Sequence, residues 1–420
     1  MKGPIARATL RTTGVLGVRL LAQGGTLLLV ARMLGPSGFG AFAGVTALAV
    51  MLGTLSTFGT HTVLLAEIAN EPQSRATVLP FALTTTVICS SVLFLLFLLL
   101  SLTTLRKSGL STDVLMAVGL SEIFFLPLLS LPAAEQQGRG RIATSQAITT
   151  LPLGLRFLAA VVVTLLDPAH PLSAYAWGYF STASLALLVA LSTTSQTWPS
   201  PRHWRRPRGA ELRKAMGYAA LSITATGPTE LDKTLAMNIL PLTTAGVYAA
   251  GARVVGALTL PVVAMMLSVM PRLFRESRND QISSGFLLRR VLAATLCYSA
   301  LLTVALWSAA PLSEHLFGTQ YAFIGKMLRL LAVAAPGMAL RIAAGSSLMA
   351  LEKPWTRAGL EVGGLSVLVI TTLMFAPRWP LVGMPVALAC SEWSMALFGW
   401  ILIRASSSFN NLTSNAKQVE

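Results

Sequence analysis

Six basic residues (Arg19, Arg156, Lys233, Arg253, Arg329 and Arg341) and five acidic ones (Glu122, Glu230, Asp232, Glu361 and Glu392) stand inside long apolar runs of this 420-residue sequence. A charged side chain at the centre of a bilayer costs about 2.5–3.5 kcal/mol on insertion scales, so this many facing lipid would be hard to sustain and an interior location is expected. Guanidinium groups lining such an interior would replace the lost hydration of a phosphate with paired, charge-assisted hydrogen bonds. Gln23 lies one helical turn beyond Arg19, on the same face, and adds a neutral donor and acceptor. Glu230 and Asp232 are the carboxylates best placed to exchange a proton or sodium ion, because Pro228 nearby can break a helix and free carbonyl oxygens for a cation. An architectural reading of the same residues stands beside this one. The cations can pair with Glu230, Asp232 or other acids and hold helices together, and Glu230 and Lys233 have the i, i+3 spacing of such a pair. Arg156, Arg329 and Arg341 read as packing or topology residues that snorkel toward an interface.

Composition identifies the elements that must position these groups. The chain is 54% hydrophobic and 11% charged, whereas soluble domains carry roughly 25% charged residues, so a water-soluble fold is excluded. Apolar runs fall at 13–33, 39–66, 77–104, 112–133, 142–166 and 172–195, then at 215–240, 244–271, 288–310, 321–350, 357–376 and 380–404. A crossing of the hydrocarbon core takes about 20 residues, so twelve crossings use nearly the whole chain. The expected fold class is an all-α polytopic membrane protein of about twelve transmembrane helices.

The net charge of +16 is a topology signal rather than a nucleic-acid footprint. Alternate loops and the two ends hold 21 of the 32 basic residues, among them Lys2, Arg7, Arg11, Arg75, Arg139, Arg141, Arg275, Arg278 and Lys417. The opposite loops hold only Arg32, Arg106, Lys107, Lys326 and Arg378. Both termini are therefore expected in the cytoplasm. Lys2, Arg7 and Arg11 precede an apolar stretch that runs through Arg19 and Gln23 to Arg32 without a small-residue cleavage site, which reads as an uncleaved first span. The organisation expected is a six-helix lobe over 1–197, a basic cytoplasmic linker over 198–214, a second six-helix lobe over 215–405 and a cytoplasmic tail over 406–420. An even number of spans per lobe makes the lobes parallel repeats, with a pseudo-twofold axis along the membrane normal. Cys89, Cys297 and Cys390 have no CxxC spacing and read as small core residues. The histidines are scattered, no metal site is expected, and no GxxxxGK[ST] loop is present for ATP.

Gly40-Ala41-Phe42-Ala43 opens the second span and Gly246-Val247-Tyr248-Ala249 opens the eighth, 206 residues later and close to half the chain. The longer stretch from Ala31 through Leu34-Gly35-Pro36-Ser37-Gly38-Phe39 to Phe42 resembles the turn after the first helix of Wzx-type polysaccharide flippases in the MOP exporter superfamily. Leu231-Asp232-Lys233 with Gly246-Val247-Tyr248-Ala249-Ala250 resembles its counterpart in helices seven and eight of that family. The resemblance, with the hydropathy, spans residues 10–405. Gly35 and Pro36 suit a tight turn at the membrane surface, and Gly40 with Gly44 suits close helix approach.

The resemblance implies alternating-access transport of an undecaprenyl-(di)phosphate-linked oligosaccharide across a bacterial inner membrane, with helices one, two, seven and eight lining a central cavity. It thereby points to Arg19, Lys233 and Arg253 as headgroup contacts, with Gln23 beside Arg19. No cofactor is expected beyond a coupling proton or sodium ion at Glu230 and Asp232. The partners implied are the bilayer, the lipid-linked substrate, and a polysaccharide polymerase and glycosyltransferases; nucleic acid is not among them. Fourteen-helix relatives carry an extra C-terminal helix pair associated with a lipid-tail groove in lipid II flippases, and twelve spans here weigh against lipid II. Two rivals remain at this stage: a cation-coupled multidrug exporter of the same superfamily, which would favour acids over bases in its cavity, and a membrane polymerase or ligase, which would normally present a large outer loop.

Overall fold

The computed structural model describes residues 4–103, 109–193, 198–279 and 281–417. Lys2, Arg106 and Lys107 lie outside the described residues, as do the side chains of Arg7, Arg11, Arg275, Arg278 and Lys417. The helices run in the order α1 (Pro4–Ser56), α2 (Thr60–Asn70), α3 (Arg75–Thr103), α4 (Thr112–Gly119), α5 (Leu126–Gly138), α6 (Ile142–Leu166), α7 (Pro171–Thr193), α8 (Gly209–Ile239), α9 (Leu242–Leu258), α10 (Leu260–Asn279), α11 (Gln281–Phe317), α12 (Ile324–Leu331), α13 (Ala334–Ala350), α14 (Pro354–Phe375) and α15 (Gly383–Lys417). Among the described residues no strand occurs. Helices suit a hydrocarbon solvent because each satisfies its own backbone hydrogen bonds.

Among the described residues nine segments are long and apolar enough to cross a membrane, and the pair α12–α13, bent by 45°, makes a tenth. The first of the nine, Gly17–Ser56, has 40 residues, about 60 Å of helix at 1.5 Å per residue, or twice the hydrocarbon thickness. It divides at Gly35, whose φ of 65° and ψ of 174° interrupt the helix. Pro36 disfavours helical geometry in the residue before it, and a glycine takes up the positive φ without a Cβ penalty. α8 supplies the remaining crossing: it is 31 residues long, but Glu230, Asp232 and Lys233 lower its hydropathy. The protein is thus an all-α polytopic membrane protein of about twelve spans.

The chain divides into two compact units, Met1–Thr226 and Gly227–Glu420. The boundary falls inside α8, beside Pro228, yet α8 continues through that proline. The expectation of a broken helix is therefore corrected. Proline removes one N–H and crowds the carbonyl four residues back, which weakens a helix without obliging it to end. Downstream of the proline, the Lys233 ammonium donates to the Thr229 carbonyl.

In the first unit α1 packs along α6, α6 along α7, and α2 against α3 and α5. A buried cluster of Val63, Leu64, Ile68, Leu79, Phe81, Leu83 and Leu131 ties α2, α3 and α5 together. The segment 198–214 lies on this unit: Trp198 and Trp204 pack against the same cluster. In the second unit α15 packs on α13 and α14, and α10 and α11 close over α13. The cysteine expectation is corrected for two of three: Cys297 and Cys390 are exposed and Cys89 is half-buried. Within a span, the lipid-facing side is as apolar as the core-facing side, so hydropathy does not tell a core residue from a lipid-facing one.

Candidate functional site

Each unit encloses a buried charged cluster. In the first, the α4 helix passes through one π-helical turn, Leu120–Phe125, before α5. Such turns aim side chains off the regular helical register and often mark functional positions. Glu122 sits in it, and its Oε1 accepts from Arg156 Nη2 of α6 at 3.0 Å and from the Tyr179 hydroxyl of α7. The Arg156 guanidinium stacks over the Tyr179 ring, 3.4 Å from its centroid. Phe42 meets Tyr175 and Tyr179 edge-on at 5.5 and 6.0 Å. The π-helical turn lies hard against α1 at Gly53, where a Cβ would fall 2.3 Å from the Glu122 carbonyl oxygen.

In the second unit Asp232 is buried and accepts from Lys233 Nζ at 3.1 Å and from the Tyr248 hydroxyl of α9 at 2.8 Å. Glu230 is less enclosed and stands 3.9 Å from Lys233 Nζ, so Asp232 rather than Glu230 is the nearer partner of that lysine. Arg341 of α13 holds Glu392 of α15 at 2.6 Å, and Arg357 holds Glu361 within α14 at 3.0 Å. Glu392 lies within electrostatic reach of both Asp232 and Glu361. Glu392 Oε1 and Glu361 Oε2 are buried with no hydrogen-bond partner among the described residues.

The cations named from the sequence thus separate into four kinds. Arg156 and Arg341 are buried and ion-paired rather than snorkelling. Arg329 is exposed, 6.0 Å from the Trp307 ring. Lys233 is occupied by Asp232 and the Thr229 carbonyl. Arg19 and Arg253 differ: both are half-buried, and among the described residues neither has an ion-paired carboxylate. Arg253 Nε is buried without a hydrogen-bond partner. Gln23, half-buried on the helix of Arg19, has no hydrogen bond from its side chain among the described residues.

Tyr179 and Tyr248 are the residues that sequence reasoning passed over. The signal was present: Phe42 and Tyr248 hold the same place in the repeated Gly-x-aromatic-Ala motif. In the first unit that aromatic buttresses the tyrosine bound to Glu122; in the second it binds Asp232 directly. Motif residues that looked purely architectural therefore position the buried carboxylates.

Known structures share this architecture. An inward-facing multidrug-resistance MATE-family transporter of the MOP superfamily superposes with a TM-score of 0.76 at 15% identity, covering 97% of this chain and 99% of its own. The lipid II flippase MurJ in an inward closed conformation gives 0.73 at 12% identity, covering 95% and 87%. A MOP-superfamily transporter from Pyrococcus furiosus, in which reversed pocket polarity suggests a different function, gives 0.67 at 14% identity, covering 96% and 95%. The fold is that of MOP-superfamily transporters and flippases. By sequence, residues 6–277 match the family described as polysaccharide biosynthesis protein, and the chain belongs to that family. Comparison with curated proteins returns no match.

Proposed function

We propose that this protein is a flippase that carries a polyprenyl-(di)phosphate-linked oligosaccharide from the cytoplasmic to the outer leaflet of the bacterial inner membrane by alternating access, with both termini in the cytoplasm. The observation that carries this reading is the pair of intramembrane arginines, Arg19 and Arg253, that no carboxylate neutralises among the described residues. At about 2.5–3.5 kcal/mol each, uncompensated membrane cations persist where a function requires them, and a phosphate is the anion their geometry suits. Gln23 offers a neutral amide to sugar hydroxyls beside Arg19. Membership of the polysaccharide biosynthesis family supports a glycan cargo. Glycosyltransferases upstream and a polymerase downstream would then be its working partners.

Deleting the gene in its host and analysing lipid-linked glycans tests the proposal. Accumulated lipid-linked repeat units facing the cytoplasm, with surface polymer lost, are expected. Normal glycans with new sensitivity to cationic drugs would transfer the protein to the multidrug exporters.

Coupling is assigned in this reading to Glu230 and Asp232. A proton or sodium ion arriving at Asp232 competes with the Lys233 ammonium for the same carboxylate, and a membrane potential supplies about 2.3 kcal/mol per charge per 100 mV. In proteoliposomes, transport should accelerate under an imposed proton or sodium gradient, and Asp232→Asn should remove that acceleration while leaving downhill movement. An unchanged gradient response in this variant would eliminate the assignment.

A further inference from the structure

The segment from Trp198 to Lys214 contains five arginines and one lysine, and it is strapped to the first unit. Arg205 Nη1 and Nη2 clamp Glu211 at 2.9 and 2.6 Å. The same guanidinium donates to the Thr77 carbonyl in the first turn of α3 at 2.9 Å and sits 4.8 Å from the Phe81 ring centroid. Trp204 Nε1 donates to the Pro199 carbonyl at 3.0 Å. At the far end Lys214 reaches Glu67 of α2 at 2.5 Å. The hydrogen bond from Arg205 holds the Glu211 carboxyl below its ordinary value, so the clamp stays charged at neutral pH.

These anchors use up the neighbouring carboxylates. Glu211 takes Arg205 and the Arg208 N–H, Glu67 takes Lys214, and Glu135 takes Arg75 and Arg139 at 2.9 Å each. Arg202, Arg206, Arg208 and Arg213 are left exposed, and among the described residues their guanidinium groups have no hydrogen-bonded carboxylate. A topology signal alone would be served equally by lysine or arginine. Here the single lysine, Lys214, is spent on an ion pair with Glu67, and the exposed cations left without one are all the planar fork that binds phosphate through two hydrogen bonds. Trp198 and Trp204 are residues suited to headgroup depth.

We propose that the Trp198–Lys214 strap is a binding site for the phosphate of anionic lipid headgroups, contacted by Arg202, Arg206, Arg208 and Arg213. The site stands independently of the cargo assigned above, although a polyprenyl diphosphate presents the same chemistry.

The test uses the full-length protein in neutral detergent, with retained lipid counted by native mass spectrometry after addition of phosphatidylglycerol, phosphatidylcholine or geranylgeranyl diphosphate. A basic residue near an anionic surface contributes roughly fivefold in binding. Phosphatidylglycerol should therefore be retained at least about tenfold better than phosphatidylcholine, and R202Q/R206Q/R208Q/R213Q should erase that preference. The four-lysine counterpart keeps the insertion charge and should lose about threefold, from the missing second hydrogen bond. If geranylgeranyl diphosphate displaces phosphatidylglycerol, the site takes the carrier's headgroup; if it does not, the site takes bulk anionic lipid; either outcome upholds a phosphate site. Equal retention of the two phospholipids by the unaltered protein overturns the proposal, as does a four-lysine variant indistinguishable from it. Both of those readouts remain available should the four-glutamine variant fail to insert.

Discussion

Glu392→Ala should lose about 3–5 kcal/mol of stability, read as a collapse of the folded fraction on thermal unfolding in detergent. The reason is the partner left behind. Arg341 is buried to 5% exposure, and its Nε donates to Glu392. Without that carboxylate the guanidinium stays enclosed with no ion-paired partner, because Glu361, though within its electrostatic reach, is already held by Arg357. Arg341→Ala should be at least as damaging, since it leaves the buried Glu392 without its cation and within electrostatic reach of Asp232 and Glu361. The double replacement Arg341→Met with Glu392→Leu should recover most of the loss, because removing both charges also removes the desolvation penalty. A double variant as unstable as either single one would show that the pair is not an isolated energetic unit. The Glu122–Arg156 pair should behave similarly but less severely, because the Tyr179 hydroxyl still donates to Glu122 when Arg156 is replaced.

Arg253→Ala and Arg19→Ala should act in the opposite way, lowering export about 10- to 100-fold while leaving the amount of folded protein unchanged. A hydrogen bond to a charged group is worth about 1.5–3 kcal/mol, which sets that range. Neither change strands a buried acid, since neither arginine has an ion-paired carboxylate among the described residues. Lysine at either position should recover part of the activity, as it restores charge but not the paired donors. The measurement is surface polymer per unit of membrane-inserted protein. Normal export in both alanine variants would sink the headgroup assignment, and reduced export accompanied by reduced protein would move these arginines to an architectural role.

The contrast between these two sets of cations was not legible in the amino-acid sequence. Arg19, Arg156, Arg253 and Arg341 all appear there as single charges in apolar runs. Their partners are remote: Arg156 finds Glu122 34 positions away, and Arg341 finds Glu392 51 positions away. No local periodicity encodes such distances. The i, i+3 relation of Glu230 and Lys233 was legible, but at 3.9 Å it is the looser contact, and the adjacent Asp232 at 3.1 Å prevails. Likewise the repeated Gly-x-aromatic-Ala motif could be seen, yet that its aromatics serve Glu122 and Asp232 depends on how α7 and α8 pack around them.

Fold class and the number of crossings follow from composition and the length of apolar runs, because continuous apolar runs of about 20 residues or more match a helix crossing the hydrocarbon core rather than the shorter alternating strands of a barrel. The turn at Gly35 also follows locally, from the proline after it. Which face of each span meets lipid and which charge meets which do not follow, because lipid is as apolar as the protein core and hydropathy is blind to the difference. Packing alone settles them, pairing Arg156 and Arg341 while leaving Arg19 and Arg253 unpaired among the described residues.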